Sequence, residues 1–86
     1  MYIHLGWDQL VKVNELVALV DIEEGLDQDN QQLVAAARAR GAVTQVSALA
    51  PKTIVVTTKQ LYLTPVSVRT IQKRFGDPLG TRMEDE

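Results

Sequence analysis

The 86 residues make one small domain, and an apolar content of 45% puts the chain in the globular range rather than the disordered one. No cysteine is present, which excludes a disulfide framework and a thiolate metal site. No apolar run is longer than that from Leu16 to Val20, which falls far short of the roughly 20 residues that span a membrane, and a net charge of −2 does not by itself favour a polyanionic partner.

In chain order, residues 1–5 favour β structure, with Ile3 opposite Tyr2 and His4. Gly6-Trp7-Asp8 breaks the run as a turn. Residues 9–13 alternate around Val11 and Val13, with Lys12 on the other face. Leu16 to Ile22 is almost continuously apolar and reads as a strand covered on both faces, although periodicity alone does not separate it from a buried helix turn. A long helix follows at residues 30–40. Asp29 is its N-cap and Gln32 the capping-box partner, while Asp27 lies just outside the first turn. Leu33, Val34 and Ala35 to Ala37 supply the apolar stripe. Arg38 and Arg40 suit the negative end, and Gly41 is the C′ residue.

Residues 42–47 alternate as a strand. Residues 52–58 and 60–64 are β-branched or aromatic runs around a polar turn near Lys59, and read as a hairpin. Ser67 caps a short helix, residues 67–75, with Val68, Ile71 and Phe75 on one face. The expected fold is therefore α+β: a single domain over residues 1–76, mainly antiparallel strands with one long and one short helix. Residues 77–86 are expected to form a mobile acidic tail.

The net charge conceals three blocks. Residues 1–29 carry −6. Residues 30–76 hold seven basic residues (Arg38, Arg40, Lys52, Lys59, Arg69, Lys73, Arg74) and no acid. Residues 77–86 carry −3. Ordinary surfaces intersperse the two signs, so an acid-free stretch of this length is a candidate footprint for a polyanion or for the acidic face of a second copy.

Catalysis fits poorly. His4 is the sole histidine, and Ser47 and Ser67 have no base at any suggestive spacing. The acids from Asp21 to Asp29 do not follow the spacing of a calcium-binding EF-hand loop, and they read as a solvated loop that caps a helix. No glycine-rich phosphate loop is present. Trp7 is the one large aromatic in a turn; it can stack on a base or fill a partner's pocket, and Asp8 beside it favours the partner.

Three segments, MYIHLG at residues 1–6, LVKVNELVALVDIE at 10–23 and PKTIVVTTKQLYLTPVSVRTIQKRF at 51–75, together resemble the RemA/RemB family of small bacterial extracellular-matrix regulators. The most specific parts, MYIHLG and LYLTPVS, are closer to the RemB branch, whereas ARARGAV at 37–43 is similar to the helix end of the RemA branch. The resemblance implies a cytoplasmic protein that favours transcription of biofilm-matrix genes. It also implies a ring-shaped homo-oligomer that binds duplex DNA through arginines in a loop between two strands. That loop corresponds here to Leu49-Ala50-Pro51-Lys52-Thr53, where Ala50-Pro51 replaces the paired arginines and Lys52 remains.

Lys52 is thus the first expected DNA contact, with Arg38 and Arg40 second. The expected partners are further copies of the chain and double-stranded DNA. No enzyme activity, cofactor, metal, membrane or small-molecule substrate is expected. The alternative is a self-assembling module whose acidic and basic faces pair head to tail without DNA.

Overall fold

The computed structural model describes residues 2–76. The acidic segment 77–86, expected to be a mobile tail, lies outside the described residues, as does the side chain of Phe75. The elements are β1 (Tyr2–His4), β2 (Leu10–Lys12), a 3-10 turn (Val13–Glu15), β3 (Leu16–Asp21), α1 (Gln28–Ala39), β4 (Val43–Gln45), β5 (Thr53–Thr57), β6 (Leu61–Thr64) and α2 (Val68–Gly76). Strands β1 and β2 form an antiparallel hairpin. The other four form a sheet in the order β3-β5-β6-β4, antiparallel except for the parallel β4–β6 pair. The fold is α+β, as the sequence implies.

The β5–β6 hairpin is the centre. In β5, Ile54 points to one face and Val55 to the other, and both are buried. Ile54 packs with Ile22, Leu61, Leu63 and the inward residues of α1, Val34 and Ala37. Val55 packs with Ile3, Leu5 and Val11 of the hairpin and Ile71 of α2. The molecule therefore has three layers: α1, the four-stranded sheet, and the β1–β2 hairpin with α2. Period-2 alternation in a strand covered on both faces accounts for this double core.

Three expectations need correction. The long helix begins two residues early, because Asp27 rather than Asp29 is the N-cap: Asp27 Oδ1 accepts from the Asn30 backbone N–H at 2.8 Å. Starting there puts Leu26 against the core and leaves Asp29 in the first turn, where negative charge suits the helix dipole. Strand β3 is not covered on both faces. It is an edge strand with a bulge between Leu16 and Ala18, and the extra residue, Val17, is 62% exposed. The strand at 42–47 shortens to Val43–Gln45, since beyond it the chain turns into the loop before β5.

Ser67 caps α2 as expected. Its hydroxyl accepts from the Thr70 N–H at 3.2 Å.

Candidate functional site

The seven cations of the acid-free stretch do not form one patch. Arg38 and Arg40 stand exposed at the C-terminal end of α1. That end is fixed by a Schellman motif: the Ala42 N–H donates to the Ala37 carbonyl at 2.8 Å, and the Gly41 N–H to the Arg38 carbonyl at 2.9 Å. Gly41 takes the left-handed conformation the motif requires, with φ 70°. The Leu61 N–H then donates to the Ala42 carbonyl at 2.9 Å, which fastens the helix end beside the β5–β6 turn.

Lys59 stands in that turn and pairs with Glu15 at 3.2 Å. The Glu15 carbonyl also accepts from the Thr58 N–H, at 2.9 Å. One rim of the sheet thus carries Arg38, Arg40 and Lys59, with Glu15 engaged by the last. Among the described residues no ion pair ties up Arg38 or Arg40. Arg38 and Arg40 are two positions apart and so leave the helix end on different sides, and each exposed guanidinium fork can grip phosphate oxygens bidentately by itself.

Lys52 is at the opposite end of the sheet. Its N–H donates to the Thr64 carbonyl at 2.8 Å, and its carbonyl accepts from the Ile22 N–H at 2.9 Å. Since β6 runs from Leu61 beside the arginine rim to Thr64 beside Lys52, about 10 Å of strand separates the two ends. Ile22 is flanked by Asp21 and Glu23, and Asp21, Glu23, Glu24 and Gly25 line an open cavity of about 560 Å³. The expected first-choice cation therefore projects from an acidic neighbourhood, and the structure does not bring it together with Arg38 and Arg40.

The remaining cations scatter. Arg69 is exposed in the first turn of α2, and Lys73 is exposed in its last turn. Arg74 donates to the His4 carbonyl at 2.7 Å, so it ties α2 to the hairpin. The His4 side chain is exposed. Among the described residues no group of three or more His, Asp or Glu is disposed to hold a metal ion, and no helix is long and apolar enough to cross a membrane.

Counting charges along the chain does not reveal the two ends, because the separation depends on the return of the chain through β4, β5 and β6. The Glu15–Lys59 pair joins residues 44 positions apart and has no local signal.

The family model described as extracellular matrix regulatory protein A-like matches residues 2–75. The chain belongs to this RemA-like family. Extracellular matrix regulatory protein B of Bacillus subtilis (strain 168) is 32% identical over 74 residues, which cover 86% of this chain and 89% of that protein. The matched span takes in β1 to β6, α1 and all but the last residue of α2.

Proposed function

We propose that the chain is a non-enzymatic regulator of biofilm and extracellular-matrix gene expression. It works in the cytoplasm as a ring-like homo-oligomer and contacts duplex DNA through its basic residues. The observation that carries the reading is the rim at the end of α1. Arg38 and Arg40 are exposed there at the Schellman-capped end of α1, and among the described residues neither is in an ion pair. The name of the Bacillus subtilis relative supports the regulatory role. Lys52 is a weaker contact, because the carboxylates of Asp21, Glu23 and Glu24 oppose a phosphate approaching it.

Phosphate contacts set affinity and register rather than sequence preference. Repetition around an oligomer multiplies weak contacts. The test is binding to duplex DNA across a salt series. Replacing Arg38 and Arg40 together by alanine should flatten the logarithmic salt slope by about 1.8, at about 0.9 per phosphate contact. Lys52→Ala should change it less. No binding above background at low salt would refute the DNA reading.

A second reading is favoured by one further observation. Asp27 and Asp29 stand at the N-terminal end of α1, and Arg38 and Arg40 at its other end. Opposite poles on one helix suit head-to-tail pairing of copies without DNA. Under that reading, salt dissociates the oligomer and DNA leaves its mass unchanged.

A further inference from the structure

Strain and exposure coincide at Trp7. The Gln9 N–H donates to the Gly6 carbonyl at 3.0 Å, and the two residues between them, Trp7 and Asp8, have φ values of 49° and 70°. These are the φ signs of a type I′ turn, whose favoured occupants are Asn and Gly. A bulky residue in the left-handed region is a genuine outlier. Burial does not offset it, since Trp7 is 56% exposed. A strained position that holds a large apolar side chain in solvent points to a contact outside the subunit.

The other end of the same hairpin offers a receptor. Tyr2 pairs with Lys12 across β1 and β2, and these two with Val13 and Asn14 line a cleft of about 280 Å³. Tyr2 is 57% exposed there. The cleft is smaller than the roughly 300–1,000 Å³ of small-molecule pockets and suits a single side chain.

We propose that the Trp7 indole of one copy plugs the Tyr2–Lys12–Val13–Asn14 cleft of a second copy. The chemistry is complementary. Tyr2 offers an aromatic edge, Lys12 an ammonium for the indole face, and the Asp8 carboxylate beside the plug meets the same Lys12. A phosphate would instead meet Asp8, which argues against a nucleic-acid occupant.

Plug and receptor lie at opposite ends of one hairpin, so the contact joins unlike surfaces. A contact of this head-to-tail kind gives a ring where its rotation closes and an open filament where it does not. The receptor end of the hairpin leads through Asn14 into Glu15, so a docked copy lies near the Glu15–Lys59 pair, whereas α1, which carries Arg38 and Arg40, packs on the other face of the sheet. The inference rests on the self-assembly proposed above and specifies how it is achieved.

Trp7 is the only tryptophan, so its emission reports the contact directly. In the full chain, emission should shift to the blue and acrylamide quenching should fall as protein concentration raises the sedimenting mass above that of a monomer. Trp7→Asn suits the turn better and should leave the melting temperature of the dissociated chain, at low protein concentration, unchanged or raised, while the dissociation constant of the assembly rises roughly 30-fold, as for loss of an interface hot spot. Lys12→Glu should weaken assembly without touching the tryptophan.

An oligomer that survives both substitutions with wild-type affinity would overturn the plug and leave self-assembly standing. A wild-type chain that is monomeric at every concentration would overturn both. Emission that ignores concentration and shifts only on adding duplex DNA would overturn the plug in favour of base stacking.

Discussion

The Thr64 hydroxyl donates to the Leu5 carbonyl at 2.8 Å, joining residues 59 positions apart in a fully buried contact. This bond fastens the end of β1 to the end of β6 and so holds the Trp7 turn at the Lys52 end of the sheet. The Val66 N–H also donates to the same hydroxyl, at 3.1 Å. Thr64→Val keeps the shape and leaves the Leu5 carbonyl without this partner. It should lower stability by about 1–3 kcal/mol, read from urea denaturation. A change under a few tenths of a kcal/mol would mean that water replaces the hydroxyl.

The cap of α1 separates two neighbouring aspartates. Asp27→Ala removes the acceptor of the Asn30 N–H and should cost about 1 kcal/mol. Asp29→Ala loses only a favourable charge in the first turn, about 0.3–1 kcal/mol at low salt, and less as salt rises. Thermal melts of both variants at two salt concentrations check the order. A larger loss for Asp29→Ala would contradict Asp27 as the cap.

Gly41→Ala tests the Schellman end beneath the arginine rim. A methyl group there meets nothing within 4 Å, so the cost is that of the backbone at φ 70° alone. It should be about 1–2 kcal/mol of stability in a chemical denaturation series. A neutral result would show that the helix end does not need the left-handed residue.

Glu15 gives a gain-of-function test. Its ion pair with Lys59 is largely solvent-exposed on the lysine side, and such pairs contribute about 0–1 kcal/mol. Glu15→Gln should therefore cost little in a thermal melt. It should also free Lys59 beside Arg38 and Arg40, steepening the salt slope of DNA binding by up to about 0.9. An unchanged slope would show that Lys59 does not face phosphate.

Local patterns exposed much of the fold. The runs of Thr, Ile and Val from Thr53 and the alternation from Leu61 identify the central hairpin, because β-branched side chains on a pleated surface are a local property. Ser67 and the apolar spacing of Val68 and Ile71 do the same for α2. Strand β3 misleads for a physical reason: a continuous apolar run is the pattern of a strand buried on both faces, and a bulge that turns Val17 outward leaves no mark in composition. The helix start misleads too: Asp29 with Gln32 three residues on has the pattern of a capping box, yet Asp27, an equally competent cap, takes the Asn30 N–H. The earlier start goes with Leu26 packed against the core, a contact between distant parts of the chain that has no local signal.

The candidate site was less legible. Arg38, Arg40 and Lys52 share one acid-free stretch, yet β6 holds them at opposite ends of the sheet. Lys52 also lies beside Asp21 and Glu23, which belong to the acidic block of the sequence. The turn at Gly6-Trp7-Asp8 was visible, but the positive φ of Trp7 was not, since neither Trp nor Asp is the residue that such a turn selects.

The proposed molecule is a homo-oligomer that grips duplex DNA through Arg38 and Arg40. Sedimentation velocity of the full chain, alone and with a duplex at low salt, tests it most directly. A species heavier than a monomer is expected without DNA, with co-sedimentation of the duplex that Arg38→Ala with Arg40→Ala weakens while the protein mass stays the same. A monomer alone, or a duplex that sediments without protein, would contradict it.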